Sequence, residues 1–183
     1  MSEEMVIRHC SPTLAGMKTG SMFSCSFGEM SDLRSFIRRL NQLLVKKGLR
    51  VLPLRIQENR ALIYVFRPKR LKQDLNHVTS TRLLKERQYD VNSPDRCILH
   101  LMQRLKENEE FPHEIGLFLG YPPEDVLGFI ENKAQDYKLS GLWKVYGDEE
   151  TAKKRFDLFK KCDRVYYKRW SQGTNIERLT VAA

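Results

Sequence analysis

The sequence predicts an α/β or α+β fold: a small mixed sheet with flanking helices and a βαβ unit towards the C-terminus. Three observations lead there. Leu33, Phe36, Ile37, Leu40, Leu43 and Leu44 recur at helical spacing and stop at Gly48. RVLPLRI (50–56) and ALIYVFR (61–67) flank a polar turn with Asn59, the pattern of a β-hairpin. Further on, two short glycine-bearing apolar runs bracket a helix-like segment, which reads as strand, crossover helix and strand.

Taken in order, Ser11-Pro12 fits the start of one short helical turn, a cap followed by proline at the first position. SMFSCSF (21–27) fits a strand. Ser31 or Asp32 caps the long amphipathic helix, whose other face carries Arg34, Arg38, Lys46 and Lys47. Pro53 removes a ladder donor, so the first hairpin strand belongs at an edge, and the nearly all-apolar second belongs at the centre. Helices are expected from Pro68 to Asn76, from Thr79 to Gln88, and from Ser93-Pro94 through the stripe Cys97, Ile98, Leu101, Met102 and Leu105. HEIGLFLG (113–120) is short and glycine-rich, hence a buried strand is expected. Pro122-Pro123 opens a helix burying Val126, Leu127, Ile130 and Ala134, and LSGLWKVYG (139–147) is the next strand. Asp148 caps a last helix with Ala152, Phe156, Phe159, Cys162 and Tyr166 at buried spacing. One globular domain over residues 1–170 is expected, with a tail from 171 to 183 that frays for want of apolar residues.

The totals narrow the function classes. At 183 residues, 41% of them hydrophobic, the chain can bury a full core. No run approaches the roughly 20 apolar residues of a membrane span. MSEEMVIRHC is acidic and lacks a long apolar run, unlike a secretory signal, so a cytoplasmic protein is expected. Four widely spaced cysteines without a CxxC motif exclude zinc-ribbon and thioredoxin patterns. A net charge of +9 suggests an acidic partner, nucleic acid or another polyanion, although no zinc-finger spacing or RNP-like motif accompanies it. The sequence names neither a cofactor nor an oligomeric state.

The turn GYPPED is not a phosphate loop. Pro122 and Pro123 carry no N–H, and Glu124 and Asp125 already place negative charge at the helix start, where they read as caps. The sharpest chemical expectation concerns Cys10. Ahead of a helix start at Pro12 its thiol would be activated, with His113 as its base. That order resembles papain-like cysteine hydrolases, but their local cysteine signatures are absent. Lys18, Lys144 and Tyr146 are candidates for holding an anionic group. Glu114 and Tyr121 join them as ligand-binding candidates from the 113–121 stretch. Against these readings, His113 can simply stiffen its turn, and Lys144 can simply face solvent. His9, Cys10 and His113 have metal-ligand chemistry without metal-site spacing, so no metal is assigned.

HCSPTLAGMKTGSMF (9–23), FPHEIGLFLGYPPEDVLGFIENK (111–133) and LSGLWKVYGDEETAKKRF (139–156) together resemble a bacterial family, domain of unknown function 3793, over nearly the whole chain. The resemblance implies no activity. It directs attention to Cys10, Pro12, Thr13, Gly16 and Lys18; to His113, Glu114, Gly116, Gly120, Tyr121 and Asp125; and to Gly141, Trp143, Lys144 and Tyr146. It also implies a cysteine in relatives where Ser140 stands here, which puts a two-cysteine role in doubt for this chain.

Overall fold

The computed structural model describes residues 2–107 and 111–182. The chain divides into two compact units, one made of Met1–Lys69 with Phe159–Ala183 and the other of Arg70–Leu158.

The first unit opens with α1 (Glu3–Leu14), whose first turn carries Glu3 and Glu4. Val6, Ile7, Cys10 and Leu14 recur at three and four residues and are fully buried, so the apolar stripe sets the helix over the whole stretch. Pro12 therefore sits in the last turn of a helix rather than at the start of one. Its missing N–H costs one hydrogen bond, and Ser11 Oγ donates to Ile7 O in the same turn. β1 (Gly20–Ser26) follows, then α2 (Met30–Leu44) and a 3-10 turn closed by left-handed Gly48. The cap of α2 is Glu29, in a reciprocal box with Asp32, rather than Ser31.

The hairpin β2 (Arg50–Gln57) and β3 (Arg60–Phe66) forms as expected. The strand order is β1-β3-β2, so the nearly all-apolar strand is central and the strand with Pro53 lies at an edge, with its register shifted between Pro53 and Arg55. Phe23, Cys25, Val51, Ala61, Ile63 and Val65 form one core with the buried residues of α1 and α2. The tail expected to fray instead carries α9 (Ile176–Leu179), with Ile176 and Leu179 in that core. Arg67, itself buried, donates to Thr13 O, Leu14 O and Val181 O, which ties the end of α1 to the tail. These bonds satisfy carbonyls that a helix end leaves open, and a cation there complements the helix dipole.

α3 (Pro68–Leu75) begins in the first unit and continues into the second, which holds α4 (Val78–Glu86) and α5 (Pro94–Glu107) close to their expected places. The class α+β with flanking helices stands, but the sheets are antiparallel rather than mixed and the βαβ unit does not form. HEIGLFLG is not a strand: its middle is α6 (Ile115–Phe118). The bonds Ile115 N to Pro112 O, Gly116 N to His113 O and Leu117 N to Glu114 O satisfy the backbone locally. Left-handed Gly120 then ends the turn, and Tyr121 N reaches back to Gly116 O in a Schellman closure. α7 (Pro123–Glu131) starts on proline, as read.

LSGLWKVYG is a tight hairpin of β4 (Leu139–Ser140) and β5 (Lys144–Val145), not one strand. α8 (Glu149–Ser171) is capped by Asp148, which accepts from the backbone N–H of Glu150 and Thr151 and from Thr151 Oγ1. Its residues from Phe159 onwards belong to the first unit. Among the described residues, no helix is long and apolar enough to cross a membrane.

Candidate functional site

The second unit brings His113, Tyr121, Asp125, Trp143 and Lys144 together around one cleft of about 300 Å³. α6 and the residues before it supply Phe111, Pro112, His113 and Ile115; α7 supplies Asp125, Val126 and Phe129; the β4–β5 hairpin supplies Ser140, Leu142, Trp143 and Lys144. Aromatic faces build the walls. Tyr121 stacks on Trp143 at 4.9 Å, and Phe156 meets the same indole edge-on at 4.5 Å. Phe111 and Leu142 are exposed large apolar residues on its lining.

Asp125 organises the hairpin. It is buried, and its carboxylate accepts from Trp143 Nε1 at 2.7 Å and from the backbone N–H groups of Tyr146 and Gly147, each at 2.8 Å. The sequence reading made it a cap of its own helix. Its side chain instead fixes the indole and the chain leaving β5. Gly141 lies against the Phe156 ring and Gly128 against Tyr146, each so closely that a Cβ would overlap the ring. These contacts explain why alternation failed as a strand signal in 139–147: the glycine is there for a ring.

Lys144 donates to Ala134 O at 2.6 Å and lies 4.5 Å above the Tyr137 ring. Tyr146 OH donates to Gln135 O at 2.8 Å. The segment they grip contains left-handed Lys133, Ala134 and Asp136, a backbone state that costs residues with a Cβ about 1 kcal/mol or more each. Both side chains therefore hold a strained turn. Tyr146 does so away from the cleft lining, whereas Lys144 also lines it.

His113 is exposed at the cleft and packs edge-on against Phe129 at 5.0 Å. Glu114 turns the other way. It is buried, receives the Tyr89 hydroxyl at 2.9 Å, and pairs with Arg104 at 2.7 Å and Arg87 at 3.6 Å. Arg87, Arg104 and Glu114 border a second, polar cavity of about 320 Å³ that also reaches His113. Burial, together with the adjacent Glu114 carboxylate, pushes the Tyr89 hydroxyl well above its ordinary range, so it remains a donor. Burial also raises Tyr121.

Cys10 and Lys18 belong to the first unit. Cys10 lies in the third turn of α1, not ahead of an N-terminus, and is fully buried. Burial pushes its thiol far up, only partly offset by Lys18, the opposite direction from that of a thiol activated at a helix entrance. Burial lowers Lys18 to about 8, against the opposing pull of Cys10 and Asp163. Alkylation of the native protein at pH 8 should leave Cys10 unmodified until denaturant is added. Rapid native labelling, read by peptide mass, would contradict this placement. Among the described residues, no three of His, Cys, Asp and Glu are grouped to hold a metal.

The sequence reading missed Asp125 as the organiser and Phe129 as a wall. Asp125 carried a signal in hindsight: a second acid beside Glu124 exceeds what one helix start requires.

Fold and site define a helix-rich α+β protein with a small antiparallel sheet in its first unit and an aromatic-walled cleft in its second. A family model described as "Protein of unknown function (DUF3793)" matches residues 6–180, and the chain belongs to that family. No curated protein and no solved structure matches the chain.

Proposed function

We propose that the cleft of the second unit binds a small, largely apolar ligand carrying an anionic group. The observation that carries this reading is the set of aromatic walls with Lys144 among them. The volume stands at the lower end of the roughly 300–1,000 Å³ typical of ligand sites. Only one of the three N–H donors of an ammonium is spent on Ala134 O, which leaves Lys144 able to meet an anion. The His113 ring supplies a second polar edge on the lining. Tyr121 contributes through its ring face, Glu114 and Tyr146 through the scaffold behind the site. Cys10 is not among the lining residues, so a cysteine-dependent reaction is not part of this reading.

The test is a titration with aryl carboxylates and their neutral amides, followed by Trp143 fluorescence in a Trp170→Phe background. Carboxylates should quench saturably and amides more weakly. Lys144→Met should weaken carboxylates about tenfold, the equivalent of 1.4 kcal/mol. Ser140→Phe, at an exposed position on the lining, should block binding without lowering the melting temperature. Absence of saturation by either series at millimolar concentration would sink the reading.

A basic surface meeting an acidic partner or nucleic acid draws its support from the first unit. That unit holds 18 of the 32 Lys and Arg but only 7 of the 23 Asp and Glu. The second unit, with 14 and 16, has no cationic excess.

A further inference from the structure

The charge pattern of α8 changes partway along the helix. Its first turns pair Glu149 with Lys153 and Glu150 with Lys154, the ordinary arrangement of a solvated helix face. From Lys160 to Arg169 the exposed positions are Lys160, Lys161, Arg164, Val165, Lys168 and Arg169. They present five cations and no carboxylate. The only acid in this stretch, Asp163, is half-buried on the inner side and interacts with Lys18. None of the five cations forms an ion pair with a described residue.

We propose that this face of α8 docks on the phosphate backbone of double-stranded DNA without reading its sequence. The inference rests on the basic-surface reading of the first unit and names its partner. Lys160, Arg164 and Lys168 are four residues apart, so they form a row with a rise of about 6 Å per step. An unneutralised row of this kind gains most from the polyanion of highest linear charge density, and duplex DNA carries one charge per roughly 1.7 Å of axis.

The other polyanions fit less well. A membrane-surface helix needs a free apolar face, and that of α8 is already committed: Phe159 and Cys162 are buried, and Tyr166 and Trp170 pack on the core. The centre of a protein interface favours aromatic anchors and is depleted of lysine, whereas this face has Val165 as its single apolar residue. A convex helix face enters a B-form major groove of about 12 Å, but not the deep, narrow groove of A-form RNA. Neither Asn nor Gln stands on the face to read adenine edges, so backbone contact dominates.

The test uses the full chain, a short labelled DNA duplex and fluorescence anisotropy across a salt series. The triple variant K160Q/R164Q/K168Q should bind at least about tenfold more weakly and lower the slope of log K against log salt by roughly 2–3. The control R34Q/R38Q, on exposed positions of α2, should change both less. Circular dichroism should show both variants folded. If wild type binds DNA and the triple variant binds equally well, α8 is not the surface, although the basic-surface reading survives. If wild type binds polyglutamate but not DNA, the partner is wrong and the surface stands. If it binds neither at low salt, both fall. Equal affinity for an RNA duplex, or tighter binding to anionic vesicles than to DNA, would overturn the choice of partner.

Discussion

Replacing Asp125 by alanine is expected to destabilise the second unit by about 3–5 kcal/mol, among the largest single-residue effects in the chain. The carboxylate is buried and accepts from the indole of Trp143 and from two successive backbone N–H groups. Its loss strands three buried or half-buried donors, each costing about 1–3 kcal/mol if left unmet, with partial relief from water. Asp125→Asn separates charge from shape. Its amide oxygen can still accept from Tyr146 and Gly147, but its NH2 then faces the indole N–H, donor against donor. An intermediate loss of about 1–3 kcal/mol is expected. The measurements are urea unfolding of the full chain and amide exchange at Tyr146 and Gly147, which should accelerate in both variants. A loss below about 1 kcal/mol for the alanine variant would show that the hairpin is held by packing alone.

Glu114→Ala is the second large effect, expected at about 3 kcal/mol, the lower part of the range for breaking a buried ion pair. The reason for the lower figure is geometric. The Glu114 side chain is 2% exposed, but those of Arg104 and Arg87 are 31% and 23% exposed, so water can reach the two guanidinium groups once the carboxylate is gone. Glu114→Gln keeps an acceptor for the Tyr89 hydroxyl and should lose about half as much. Because Glu114 is not among the residues of the aromatic cleft, the glutamine variant should bind aryl carboxylates as wild type does. A variant of native stability that no longer binds them would place Glu114 in the ligand site itself.

The first unit was legible in the sequence where period and punctuation agreed. The α2 stripe ends at Gly48, the hairpin strands flank a polar turn, and Pro53 marks the edge. α1 was missed because Pro12 read as a start signal, although Val6, Ile7, Cys10 and Leu14 already spelled a helix. That error displaced Cys10 from the core to an imagined helix entrance. In the second unit, short apolar runs with glycine support strand and helix equally well by periodicity. Local hydrogen bonds decided for α6, and no local pattern reports those. The tail was misjudged because Ile176 and Leu179 are few, yet both are buried in the core. At the cleft, His113, Tyr121 and Lys144 were found by residue type and resemblance. Asp125 acts on residues 18 to 22 positions away, a separation that spacing rules do not span.

The two glycines that lie under aromatic rings have a consequence for descent. Phe156 can occupy its place only while position 141 lacks a side chain, and Tyr146 only while position 128 does. Neither member of a couple can drift alone: a methyl group at the glycine collides with the ring, and a smaller residue in place of the ring leaves a void beside bare backbone. Such positions are inherited together. Variation within the family should reach 141 with 156 and 128 with 146 as joint changes, leaving a record of this contact in the sequences themselves.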